Sequence, residues 1–176
     1  MKQQNANGFH YLFVDATYKL LLNGFSLITL GTEDKSHHFK FVGCAITAHE
    51  NGNSYQRFFE RIKDAFLEHF QFELKPHWIV SDAAESIVSG AKKVFSNSEH
   101  IRCYFHTVKA VKDKISRWKN STEKKLIQNE FGLINYAMKL LHCATTDDDF
   151  VNLWKLIKDE WNSKYPENFL KYFKRT

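Results

Sequence analysis

"YLFVDATYKL" (residues 11–20) begins as an apolar run, Tyr11 to Val14, and then meets a carboxylate at Asp15. Such a run, bounded by polar residues, reads as a buried strand, here over residues 9–15. A carboxylate at the tip of a buried strand needs a reason, because an unpaired buried charge is costly. A second stretch has the same form. "HWIVSD" (residues 77–82) is a short apolar run that ends in Asp82.

The segments between and after these two runs set the order of elements. "GFSLITLGT" (24–32) and "HFKFVGCAIT" (38–47) read as strands joined by short polar links at Asn23-Gly24 and Glu33–Ser36, which predicts an antiparallel meander. From Ser54 the period changes. Tyr55, Phe58, Phe59, Ile62, Phe66 and Phe70 form one helix face. After the strand at 77–82, Ile87, Ala91, Val94 and Phe95 mark a helix over Ala83–Phe95. "HIRCYF" (100–105) reads as a last strand, and "TVKAVKDKISRW" as a helix with Val108, Val111, Ile115 and Trp118 inward. From about Ser121 the pattern is helical throughout. Ile127, Phe131, Ile134, Met138 and Leu141 make one stripe. "TTDDDF" gives a capped start to the next helix, and Tyr165-Pro166 a break.

The order is thus βββαβαβα followed by helices alone. Three antiparallel strands followed by right-handed β-α-β crossovers give a mixed sheet with helices on it. This is the element order of a ribonuclease H-like fold, in which the first strand is central and the fourth lies parallel beside it. Residues 1–118 are expected to form that core and 119–176 a helical insertion.

Composition bounds the rest. With 176 residues, 16 Phe and 4 Trp, the chain has enough apolar material for a real core, which excludes a disordered protein. No apolar run is long enough to span a bilayer, and "MKQQNANGFH" lacks the apolar centre of a signal peptide. Three distant cysteines, Cys44, Cys103 and Cys143, fit a reduced intracellular compartment better than a disulfide framework. The net charge of +5 suits a nucleic-acid partner without requiring one.

If the first and fourth strands are parallel neighbours, Asp15 and Asp82 emerge at one edge, on strands about 4.8 Å apart. Two carboxylates that close repel, and a hard divalent cation such as Mg²⁺ or Mn²⁺ relieves the repulsion with oxygen ligands. Two such ions can hold the attacking and leaving oxygens of a phosphodiester, which points to phosphoryl transfer on nucleic acid. The competing reading makes each acid a turn residue or a helix cap, Asp82 for the helix that follows it. Glu85 is read as a first-turn acid favoured by the helix dipole.

Three further features stand outside the acid pair. Cys103 and His106 stand at C-x-x-H spacing, half of a zinc site, with nothing in the spacing of His100, His142 or Cys143 to complete it; zinc is therefore not expected. Arg102, Lys109, Lys112, Lys114, Arg117 and Lys119 form the densest basic stretch, either a phosphate-contacting face or a solvated one. Trp118, Trp154 and Trp161 sit at helical spacing among apolar residues, which favours core packing over base stacking.

Taken in order, "DATYKL", "FSLITLGTEDKSHHFKFVGCAITAHE", "FFERIK", "IVSDAAESIVSGAKKVF" and "IRCYFHTVKAVKDKI" resemble the core of a Mutator-like element (MULE) transposase domain, from about residue 9 to 117. The resemblance implies a DDE-type centre with Asp15 and Asp82 as its first two acids and metal ligands, and Cys103 and His106 as the family's C-x-x-H element. It implies DNA as partner, both transposon ends and target, and a nuclear location. Homo-oligomerisation stays open. The third acid, a Glu, is expected beyond the helical insertion, so the chain is expected to be a fragment carrying two of three ligands, with exposed apolar surface on its sheet. Glu123, Glu130, Glu160 and Glu167 are read as solvated helix residues. The alternative is a transposase-derived, non-catalytic DNA-binding or interaction module, or an inactive relic.

Overall fold

The computed structural model describes residues 10–18, 22–36 and 38–173. They fall into two compact units that divide between Cys103 and Tyr104.

The first unit is built on a sheet of five strands among the described residues: β1 (Tyr11–Thr17), β2 (Ser26–Glu33), β3 (Phe39–Thr47), β4 (Trp78–Ser81) and β5 (Glu99–Arg102). Their order across the sheet is β3-β2-β1-β4-β5. β1 pairs antiparallel with β2 and parallel with β4, so the sheet is mixed and β1 is its middle strand. Two helices follow strands in this unit, α1 (Gly52–Phe70) and α2 (Glu85–Val94). Both pack on one sheet face. Leu12 and Val14 of β1, Ile28 and Leu30 of β2 and Ile79 of β4 meet Tyr55, Phe59, Ile87 and Phe95 in a single buried cluster. The period-two alternation of the strands produces this directly, since alternate residues share a face.

The other face is aromatic. Tyr11 stacks on Trp78 at 4.9 Å between ring centres, and Phe13 lies 6.5 Å from Phe39. Phe39, Phe41 and Ile46 of β3 are 61%, 62% and 63% exposed.

The turn before β2 lies at the expected Asn-Gly pair. Asn23 and Gly24 both take a φ of 73°, the left-handed region these residue types tolerate. A bulge between Leu30 and Gly31 shifts the β2–β3 register. It puts Val42 on the core side with Gly43 and leaves Phe39 and Phe41 outside, so simple alternation does not describe β3.

α1 and α2 pack closely because Gly90 has no side chain. A Cβ there would lie 2.6 Å from the Cβ of Tyr55 and 2.8 Å from the carbonyl oxygen of Gly52. Gly90→Ala would gain about 1 kcal/mol of helix propensity. It would also overpack a contact with backbone that cannot move aside, at a cost of about 1–3 kcal/mol. The expected outcome is a net loss of up to about 2 kcal/mol and no net gain, measured by urea denaturation.

The second unit is all helical: α3 (Tyr104–Ser116), α4 (Ser121–Asn129), α5 (Phe131–His142), α6 (Asp147–Lys164) and α7 (Glu167–Phe173). Its core joins Val111, Ile115, Ile127, Ile134, Met138 and Ile157 to Trp161, Tyr165 and Phe169. Trp118 and Trp154 pack against that cluster. α3 belongs to this unit by packing, because Val111 and Ile115 bury in the helical cluster, whereas the element order read from the sequence places the division after residue 118. The expected single stripe from Ile127 to Leu141 spans two helices, separated at Glu130 (φ −91°, ψ 2°). α6 starts as expected. Thr146 Oγ1 accepts the N–H of Asp149 at 3.1 Å, and Asp147, Asp148 and Asp149 fill the first turn. No helix among the described residues is long and apolar enough to cross a membrane.

Candidate active site

β1 and β4 run side by side with Tyr11 opposite Trp78, Leu12 opposite Ile79 and Phe13 opposite Val80. The paired register ends at Phe13 and Val80; Asp15 lies two residues beyond that pair on β1, and Asp82 two residues beyond it on the other side, just past the end of β4.

The two acids are held differently. Asp15 does not end its strand, as the sequence suggests; β1 runs on to Thr17 because its ladder to β2 continues through Ala16–Ile28 and Thr17–Leu27. On the β4 side the pairing has already stopped. Asp15 therefore stands on rigid strand backbone where its neighbour leaves the sheet. Its carbonyl accepts the Thr29 hydroxyl at 3.3 Å, and its side chain is exposed.

Asp82 follows β4 and is half-buried. It does not cap α2, which begins at Glu85 with Ala84 in the capping position and no side-chain cap. Instead the N–H of Ala84 is received by both the carbonyl (2.6 Å) and Oδ1 (3.2 Å) of Asp82, a tight Asx turn that orients the carboxylate. Glu85 lies exposed in the first turn of α2.

Two residues that the sequence does not assign to this site lie close by. Tyr55 of α1 is wholly buried, and its hydroxyl has no hydrogen-bond partner among the described residues. Burial first, and then the charges of Glu50, Asp82 and Asp15, push its phenol far above the usual range. The signal in the sequence was an amphipathic tyrosine among phenylalanines on a core face.

His100 of β5 lies 2.7 Å through Nε2 from Oγ of the buried Ser81, beside Asp82. Burial, then Arg102, pull its pKa below the usual 6.5, with Lys92 assisting and Asp82 opposing. A histidine with a lowered pKa in the fold takes up its proton more readily when unfolded, so stability is complete above 6.5 and falls as pH drops below it. We expect denaturation midpoints measured from pH 7.5 down to 5 to decline more steeply in the native chain than in His100→Gln.

The C-x-x-H residues occupy different elements. β5 stops at Arg102, earlier than expected, because its partner β4 ends at Ser81; the N–H of Cys103 still donates to the Ser81 carbonyl at 2.7 Å. Tyr104 then opens α3, so His106 is a helix residue of the second unit. Among the described residues no group of three or more His, Cys, Asp or Glu is placed to share a metal ion.

Of the basic candidates, Arg102 ends β5, and Lys109, Lys112, Lys114 and Arg117 are exposed on or just after α3. Lys112 and Lys114 lie over the rings of Phe131 and Tyr172 at 5.2 and 5.7 Å. Two glutamates of the helical unit are less solvated than expected: Glu123 accepts the indole N–H of Trp118 at 2.8 Å, and Glu130 pairs with Lys164 at 2.7 Å.

Comparison with known proteins gives one family. The sequence model described as the MULE transposase domain matches residues 11–110, a span that contains both acids. No curated protein matches the chain significantly. Among solved structures, the catalytic domain of Mos1 mariner transposase is similar at 12% identity, covering 84% of this chain and 74% of that one, with a TM-score of 0.38. The Mos1 transposase catalytic domain with raltegravir and Mn is similar at 11% identity, covering 84% and 78%, with a TM-score of 0.37.

Proposed function

The chain belongs to the MULE transposase domain family, and from that membership and its paired acids we propose that it is a DNA transposase catalytic domain of ribonuclease H-like fold and DDE type. It would act on transposon ends and target DNA in the nucleus, through metal-dependent strand cleavage and transfer. The observation that supports this reading is the parallel pairing of β1 and β4, with Asp15 and Asp82 each two residues past its last pair, Phe13–Val80.

The donor set fits a hard divalent cation. Asp15 and Asp82 offer only carboxylate oxygens, which suit Mg²⁺ or Mn²⁺ and not a soft metal. These two residues would hold the metal, which when bound supplies a Lewis acid for the phosphodiester and an activated water. The chain's own part is placement. The β1–β2 ladder fixes the backbone of Asp15, and the turn at Ala84 fixes Asp82. The packed layer of Leu12, Val14 and Ile79 keeps water from the helix side of the strands that carry them. Arg102, Lys109, Lys112, Lys114 and Arg117 are the proposed contacts to the DNA backbone, where cations add affinity without sequence information.

The test is Mn²⁺-dependent nicking of DNA that carries the element's ends, with Asp15→Asn and Asp82→Asn as controls. Nicking that needs both acids supports the reading. DNA binding without nicking, indifferent to both substitutions, supports the non-catalytic module instead.

A further inference from the structure

We propose that the helical unit carries a groove for single-stranded DNA, separate from the acid pair and built from the end of α3, the start of α4 and α7. The choice of DNA as the nucleic acid rests on the functional reading above; the groove itself does not.

A cavity of about 970 Å³ opens within this unit, lined by four cations, Lys114, Arg117, Lys119 and Lys171, and by two aromatic residues, Trp118 and Tyr172. Cations with aromatic rings in one concavity are what an unpaired strand requires: charge for its phosphates and flat apolar surfaces for its bases. A duplex keeps its bases stacked inside, so rings in a cavity of this size reach only unpaired ones. The volume suits one or two nucleotides.

The lining is partly organised. Lys114 is held over the Tyr172 ring at 5.7 Å, and Arg117 Nε donates to the Asp113 carbonyl at 3.0 Å, which anchors the guanidinium while leaving its other nitrogens. The one acid of the lining, Glu123, is engaged by the Trp118 indole at 2.8 Å. Lys171 pairs with Glu167 at 2.9 Å, but both are largely exposed, so a phosphate can replace that partner at little cost. The N-terminus of α4, capped by Asn120, also lies in the lining and adds the positive end of a helix dipole. Lys171 comes from α7, far from the basic stretch near Cys103, so the sequence does not join the two.

The experiment measures binding of the full chain to a short fluorescein-labelled oligothymidylate by anisotropy, across a salt series. The double variant Lys119→Glu/Lys171→Glu replaces exposed residues, and circular dichroism checks its fold. Its affinity should fall at least ~10-fold, and the slope of log K against log salt should flatten by ~1.4, the loss of two single-strand phosphate contacts. An abasic oligonucleotide of equal length should bind the native chain at least ~5-fold more weakly, the stacking contribution of one base. Unchanged affinity and slope in the double variant overturns the groove. Equal loss of single-strand and duplex binding, or abasic binding as tight as the oligothymidylate, overturns its single-strand character. Asp15→Asn separates this proposal from the catalytic one: groove binding persists in that variant whether or not nicking depends on the acid.

Discussion

Asp15→Asn and Asp82→Asn are each expected to lower Mn²⁺-dependent DNA nicking at least ~100-fold and to weaken Mn²⁺ binding, followed by calorimetric titration, by at least ~10-fold. Removing a residue that only supports a metal ligand costs about 10–100-fold, so removing a ligand itself costs no less. Asparagine keeps the size and one oxygen of aspartate but not its charge, and charge is what a hard cation needs from so small a donor set. Stability should move little. Asp15 is exposed on a strand held by backbone bonds, and its substitution should stay within about 0.5 kcal/mol. Asparagine at 82 retains an oxygen for the Ala84 N–H, so the turn survives. A folded Asp82→Asn variant that binds Mn²⁺ and nicks DNA as the native chain does would sink the metal assignment.

Trp161→Ala is expected to destabilise the helical unit by about 3–5 kcal/mol. Trp161 is 3% exposed at the centre of an aromatic cluster, with Tyr165, Phe169 and Phe173 rings at 5.7, 5.8 and 5.0 Å and Trp154 edge-on at 6.3 Å. Alanine removes the indole and leaves a void that five helices' worth of interlocked side chains cannot close, so transfer and cavity costs add. Trp161→Phe keeps much of the volume and should lose less than half as much. Urea denaturation followed by far-ultraviolet circular dichroism reads both. A loss below about 1 kcal/mol for the alanine variant would mean the cluster collapses around the gap.

Legibility of the fold differed by element. β1, β4 and α1 were readable because their apolar residues repeat with the period of the element and bury on one face. Element ends were less readable, because a strand ends where its partner does. β1 outran its apolar run because β2 went on pairing with it, and β5 stopped short of its apolar run because β4 had ended. Tyr104 and Phe105 look like strand residues and instead begin a helix. The bulge in β3 is invisible in the sequence, since it depends on the register with β2.

The sequence alone determined that Asp15 and Asp82 each follow an apolar run, that a parallel sheet would bring them together, and that a C-x-x-H pair and a basic stretch come next. Local periodicity carries that much, because burial selects residue types position by position. Only the tertiary structure decided that β1 and β4 pair in parallel through Phe13 and Val80, that Asp82 is oriented by a turn and not by capping a helix, and that the hydroxyl of Tyr55 is buried without a hydrogen-bond partner among the described residues. It alone brought Lys171 to Lys114 and Lys119 around one cavity. These are relations between residues distant in the chain, set by strand register and helix packing, and no single segment encodes them.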